Sequence, residues 1–342
     1  MSIIFGAGGI LYSNYIYKHY IVDQFSAFPE PVAVKLRRAL YYSNIAPSPK
    51  DAVRYYREAL EEANRLGMDP FSDEVIGIKI QLAAFVEKIQ QYKKAIEVLE
   101  LVRGDCLGWL EERGGIEGNE GQRTRVLSKL VGMSVKLADL YANPYIKEPE
   151  LAEERLIWAV ETVLKERKRR EVEGVREGEG EWMSNEEVGG ALEALANNYE
   201  AKDQHYLAAP LYLQALTLAP PNECHSVILM NNLSTSLAQQ VPPSSLSAYT
   251  PPANRTNLIE SGQTWARKAI ERAAKIAPPD RTPDCDLGCA VATHNLGEFA
   301  EMQGDVAAAR AQYVEAESLA KALGFQEGMN NARAALERVG RR

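Results

Sequence analysis

Histidine and cysteine are scarce in this chain, four of each in 342 residues. Four cysteines are too few to build a disulfide-held scaffold of this length. His19, His205, His225 and His294 are scattered, and each lacks a fixed carboxylate neighbour in sequence, which thins the field for metal sites and acid–base catalysis. An excess of positive charge is also missing. The formal net charge is −8, whereas nucleic acid rewards basic stripes. The glycines of GAGG at 6–9 lack the strand, the helix and the Lys or acidic partner of a phosphate-cradling loop. Neither a nucleophile elbow nor a zinc-protease helix occurs. These absences leave no cofactor to expect and point away from an enzyme. What is present, 46% apolar and 25% charged residues, is ordinary for a folded protein with a substantial core.

Long apolar runs are lacking as well. The uncharged stretch IIFGAGGILYSNYIY at 3–17 falls short of the roughly 20 residues that a spanning helix needs. Yet Tyr12, Tyr15, Tyr17 and Tyr20 gather at one end, as aromatic residues do at a membrane–water interface. The glycines and Ser13 are tolerated in membrane helices. A basic n-region and small-residue cleavage site of a secretory signal are not clear. Residues 1–20 are therefore expected to be the exit half of a membrane anchor whose upstream part lies outside this sequence. The alternative is an N-terminal helix docked on the rest of the chain.

The body of the chain is periodic. Residues 192–220 read LEALANNYEAKDQHYLAAPLYLQALTLAP. Leu195, Ala196 and Tyr199 fall on a first helix, Ala208, Tyr212 and Ala215 on a second, and Pro220 ends the unit. Small residues at Ala196 and Ala208 let two antiparallel helices cross closely, and Tyr199 and Tyr212 fill the space that remains. Pro210 inside the second helix costs an intrahelical hydrogen bond unless that helix starts late or bends, and is read as a kink that adjusts the stack's curvature. The pattern returns with Leu296, Gly297 and Ala300 followed by Ala309, Tyr313 and Ala316. Weaker copies begin at Leu36, Leu82, Leu137 and Leu233. The last of these is split by PPSSLSAYTPPANRT at 242–256, which is too rich in proline to be helical.

A repeat of about 34 residues with these small and aromatic positions resembles the tetratricopeptide-repeat (TPR) family. The resemblance covers about 33–340, although no unit carries the Trp preferred in the first helix. It implies an all-α superhelical solenoid over 21–342, with candidate repeats at 33–66, 76–109, 131–166, 189–222, 227–279 with its insertion, and 290–323. Residues 325–340 are expected to form the polar-faced capping helix that such stacks require. Two interruptions stand out: Gly-rich 114–123, read as a mobile turn, and KERKRREVEGVREGEGEW at 165–182, read as a helix running out into a solvated, partly disordered linker.

Within that family, YKHYIVDQF, PLYLQALTLAPP and CAVATHNLGEFAEMQGD look like the fungal adaptor subunits of the mitochondrial inner-membrane i-AAA protease. That resemblance implies an anchored protein with its repeats in the intermembrane space, presenting unfolded polypeptides or membrane-protein substrates to the protease. Its partners would be such substrates, AAA protease subunits and a second adaptor, with the membrane met through the N-terminus. A scaffold for one defined linear peptide and an assembly factor for mitochondrial complexes are the alternatives.

First helices of such a stack line a concave groove, the expected binding surface. Asn197, Asn198, Asn231, Asn232 and Asn295 fall on or near it, with Glu298 beside them and Asn330 and Asn331 as further candidates. An amide both donates to and accepts from a peptide backbone, which suits recognition indifferent to side chains. The same amides could equally cap turns or bond neighbouring helices. The groove positions Glu193, Thr235, Val291 and Glu298 are not cations, so an acidic chaperone tail is not an expected ligand. Cys224, Cys285 and Cys289 leave three readings open: a zinc site completed by His225, a disulfide among them, or free packed thiols. Cys106 is expected to be isolated and packed.

Overall fold

A computed structural model describes residues 25–240 and 255–341. The expectations for residues 1–20 and for most of the 242–256 insertion lie outside the described residues. Among the described residues the regular elements are thirteen α-helices, and none of them is long and apolar enough to cross a membrane. The chain divides into two compact units. The first comprises residues up to Arg155 together with Lys165–Trp182, and the second Leu156–Leu164 together with the residues from Met183 onwards.

In the first unit, α1 (Glu30–Asn44) pairs with α2 (Pro49–Arg65), which packs on α3 (Asp73–Lys88). Helix α3 pairs with α4 (Tyr92–Arg113), and α4 packs on α5 (Glu120–Ala142). Helix α6 (Pro149–Glu173) is shared between the units. Local chemistry sets these starts. Proline in the first turn of α1, α2 and α6 supplies the fixed φ and forgoes an N–H that would have no partner there. The Ser72 hydroxyl accepts from Val75 N at the head of α3.

Residues 114–123 are a turn only in their first part. The turn ends at Asn119, whose amide donates to the Arg113 carbonyl at 2.9 Å, and Glu120–Arg123 already belong to α5. Gly121 is pressed against the backbone of another segment. A Cβ there would stand 2.6 Å from the Gly178 carbonyl oxygen.

That other segment is the expected linker, and it too departs from the expectation. After α6 the chain folds back, and Glu179 becomes 2% exposed. The reason is electrostatic pairing. Glu166, itself 4% exposed, accepts from Arg169 at 2.6 Å, Arg170 at 3.1 Å and Arg123 at 3.2 Å. Arg169 also donates to Glu179, Arg176 N donates to Glu179 Oε2 at 3.0 Å, and Arg170 donates to the Gly180 carbonyl at 2.9 Å and lies over the Trp182 ring. Arg169 and Arg170 of the basic run thus meet two buried carboxylates instead of water, while Lys165, Arg167 and Lys168 stay exposed. Burial alone would raise the Glu166 carboxyl, but the hydrogen bonds from Arg169 and Arg170 and the charge of Arg123 outweigh it and bring it down to about 2.

In the second unit, α7 (Asn185–Glu200) pairs with α8 (His205–Leu218), α9 (His225–Gln239) with α10 (Arg255–Lys275), and α11 (Pro283–Met302) with α12 (Val306–Leu323). The last helix, α13 (Gln326–Gly340), packs on α12 and α11. Arg255 and Thr256 belong to α10, so helix resumes before the end of the Pro/Ser-rich stretch. Helix α7 opens with a reciprocal capping box between Ser184 and Glu187. Helix α12 ends at Gly324, whose φ of 68° is the left-handed conformation that glycine adopts freely. Pro210 neither delays nor ends α8, which starts five residues earlier and continues to Leu218. Pro210 and Tyr206, whose carbonyl loses its bond, are both exposed, so water reaches the orphaned group.

The small residues have the neighbours that the repeat requires. Ala196 and Ala208 are fully buried, as are Tyr212 and Tyr313. Each tyrosine hydroxyl reaches back to the C-terminal end of its partner helix: Tyr212 donates to Glu200, and Tyr313 to Glu301 at 2.9 Å. Burial and these carboxylates push both phenols well above the ordinary tyrosine value. At Gly297 a Cβ would stand 2.7 Å from the Tyr313 ring, a rigid and enclosed obstacle. At Gly190 it would meet nothing within 4 Å.

Two predictions follow from this packing. Gly297→Ala is expected to destabilise by about 1–3 kcal/mol through overpacking, despite alanine's helix preference of about 1 kcal/mol. Gly190→Ala should stabilise by up to that same preference, and denaturant unfolding of the two variants reads both signs. For the arginine cage, the native Glu166 carboxyl lies below its ordinary value of 4.5. Its contribution is therefore complete above that pH and is lost as pH falls towards about 2. Glu166→Gln should lose about 3 kcal/mol at neutral pH, and its stability should fall less steeply than that of the parent protein between pH 5 and pH 2 (a range of about three units set by the shift).

Candidate functional site

The cysteines resolve into one bond. Cys224 at the head of α9 and Cys285 in the first turn of α11 form a disulfide with S–S 2.07 Å and Cα–Cα 4.8 Å, across 61 residues of sequence. Of the three readings, the structure takes the disulfide and specifies its partners. The two sulfurs are joined, so the set with Cys289 and His225 is not a zinc site. Cys289 stays a free, half-buried thiol, and burial raises it. Cys106 is free and buried on α4, and burial pushes its thiol up to about 11. His225 turns instead towards α7, with Nε2 2.8 Å from Glu193 Oε2, and that carboxylate raises its pKa.

The candidate amides divide. Asn231 is 3% exposed, and its Nδ2 donates to the Gly288 carbonyl of α11 at 2.9 Å. It bonds two helices together and is not presented to a ligand, which corrects its assignment to the groove. Gly288 allows the approach: a Cβ there would stand 2.7 Å from Val227. Asn197 stands beside the same Tyr212 hydroxyl that donates to Glu200 and so braces its own hairpin, while Oδ1 of Asn198 is buried without a hydrogen-bond partner. Asn232 stays partly exposed. Asn295, nearly buried, donates to the Thr235 hydroxyl of α9 at 3.2 Å and still lines a cavity.

That cavity, about 450 Å³, lies between α11 and α13 over α12. Val291, His294, Asn295 and Glu298 of α11 form one wall. These positions share a helix face because three, four and seven residues bring the helix back round. Glu327, Asn331 and Arg338 of α13 form the other, with Ala316, Ala320 and Phe325 between. A second cavity of about 280 Å³ shares Glu298 and Arg338 and adds Gln239, Glu301 and Met302. Together they make a trough with an apolar floor and polar walls. Val291 is 37% exposed and Met302 40%. Arg338 is held by Glu301 at 2.8 Å and lies near the Tyr313 hydroxyl, and the Glu301 bond raises the guanidinium pKa further. His294 Nε2 lies 3.6 Å from Glu298 Oε1.

Of the expected site, the structure brings together Asn295 and Glu298. It places Asn197 and Asn231 in packing roles. The sequence reading assigned the last helix only to capping, with Asn331 a minor candidate, and so missed Phe325, Glu327 and Arg338. Their signal was there, since 327, 331, 334 and 338 recur at helical spacing.

Paired helices in series, with small residues at the crossings and a trough on the first-helix side, form an all-α fold that resembles tetratricopeptide-repeat solenoids. The chain is 27% identical over 315 residues to a TPR repeat-containing protein of Schizosaccharomyces pombe, covering 91% of this chain and 79% of that one. A shorter similarity, 37% over 70 residues, links 20% of this chain to 15% of a protein MRG3-like of Saccharomyces cerevisiae. Among solved structures the fold resembles BtubC (BKLC) from P. vanneervenii, with a TM-score of 0.51 at 16% identity, covering 81% of this chain and 92% of that chain. No protein-family model matches.

Cys285→Ser, or reduction of the parent protein, should cost the second unit about 2–4 kcal/mol. Cys289→Ser should leave thermal unfolding under non-reducing conditions nearly unchanged. Intact mass before and after alkylation reads the bond directly.

Proposed function

We propose that this chain is a non-enzymatic adaptor of the mitochondrial inner membrane that takes hold of unfolded polypeptides in its trough and presents them to the i-AAA protease. The observation that carries the binding role is the trough itself: an apolar floor at Val291, Ala316, Ala320 and Phe325, flanked by the amides of Asn295 and Asn331. Such a lining accepts an extended backbone and an aliphatic side chain without demanding one sequence. A disordered client loses entropy on capture, so single-site binding would be weak and clients would need several contacts. The Cys224–Cys285 bond supports a compartment that permits disulfides, such as the intermembrane space. The three sequence stretches that look like the protease's adaptor subunits support the assignment of the partner.

Replacing both exposed apolar groups, in a Val291→Ser, Met302→Ser variant, should weaken capture of a reduced and alkylated unfolded protein about tenfold, equivalent to about 1.4 kcal/mol. Thermal stability should stay within about 0.5 kcal/mol of the parent, as for other surface substitutions. Unchanged capture would remove the trough from the reading. A pull-down of the full-length protein from solubilised mitochondria should contain AAA protease subunits. Their absence would remove the protease.

A further inference from the structure

We infer that the trough selects for positive charge: its occupant is an extended cationic segment carrying a bulky aliphatic residue. This deepens the reading of the trough as a client site and rests on it. The two cavities are lined by three carboxylates, Glu298, Glu301 and Glu327, and by one formal cation, Arg338. That cation is already committed. Arg338 meets Glu301 at 2.8 Å and 3.1 Å and lies 3.3 Å from the Tyr313 hydroxyl, so the pair is neutral as a unit. What faces an incoming chain is Glu298, about one-third exposed with the His294 imidazole 3.6 Å away, and Glu327, which is exposed on the opposite wall.

The groove continues neutral towards α9. Asn232, Thr235 and Gln239 recur three, four and seven residues apart on that helix and contribute amides and a hydroxyl. Further on, the single imidazole of His225 is bound to Glu193. Among the described residues the one cation left beside the trough is Arg255, at its far end, where it donates to the Gln240 carbonyl and lies 3.9 Å from Met302 Sδ. A glutamate or aspartate seated between α11 and α13 would lose hydration beside Glu298 and Glu327 without compensation. A lysine or arginine would gain two carboxylates, while its alkyl stem covers the floor at Val291 and Phe325. The low-dielectric walls of a cleft strengthen that preference relative to the open surface.

The test uses three 15-residue unstructured peptides of equal apolar content, carrying four lysines, four glutamines or four glutamates, and the full-length protein under non-reducing conditions. Fluorescence anisotropy at low salt should give Kd values in the order lysine, glutamine, glutamate, with at least a tenfold gap between the first and last. In 0.5 M NaCl the gap should shrink to less than threefold, as exposed charges are screened. The Glu298→Gln, Glu327→Gln variant should lose most of the gap while keeping its affinity for the glutamine peptide, a result that a folding defect could not produce. Equal binding of all three peptides would overturn the charge preference and leave the client reading standing. Binding of none would overturn both. A gap that survives in the double variant would place the selectivity elsewhere on the chain and overturn this assignment.

Discussion

The whole architecture depends on how close two antiparallel helices can come. In the hairpin of α11 and α12 the limiting contact is Gly297 against the face of the Tyr313 ring, where a single added methyl would collide at 2.7 Å. In the hairpin of α7 and α8 the matching positions are held by Ala196 and Tyr212, both fully buried. Dispersion falls off within an ångström or so, so this separation decides whether the aromatic ring is gripped on both faces or left beside a void. The tyrosine hydroxyl then extends past the crossing to Glu200 or Glu301. One side chain thus sets the separation with its ring and the register with its oxygen.

The trough follows from that constraint. When second helices are drawn tight against first helices, the first helices present their opposite face as a row, where some residues, such as Asn295 with Thr235, still bond the stack and others, such as Val291, stay exposed. Glu301 shows how the two layers communicate. It accepts from the buried Tyr313 on one side and from Arg338 of α13 on the other, so the hairpin core and the trough wall share one carboxylate. The capping helix is therefore more than a lid on exposed apolar surface. It supplies half of the lining, including the cation that neutralises Glu301.

Charge is handled in contrasting ways in the two units. In the first, Glu166 and Glu179 are buried and matched by three arginines, so the segment after α6 is fastened to the helices it follows. In the second, Glu298 and Glu327 stand on the trough walls with little opposing charge. Paired carboxylates hold backbone in place, whereas weakly opposed ones create a field that an incoming chain can read. The disulfide between Cys224 and Cys285 adds a covalent tie between α9 and α11, helices that also meet where Asn231 bonds Gly288 and Asn295 bonds Thr235.

The sequence by itself determined the helical pairs, because small and aromatic residues at fixed intervals have one efficient use, the close crossing of two rods. Leu195 with Ala196, Leu296 with Gly297, Tyr212 and Tyr313 could be read without coordinates, and so could the cap at 325–340. Only the tertiary structure decided which polar groups are spent on the stack and which are offered outward. Asn231 and Asn232 are adjacent in sequence, and a rotation of about 100° puts one against Gly288 and leaves the other at the surface. The run at 165–182 looked solvated because its charges were counted along the chain, while the pairing with Arg123 comes from a helix more than forty residues earlier. The choice of Cys285 over Cys289 was decided in the same way, since one helical turn separates them and only the fold places one of the two beside Cys224.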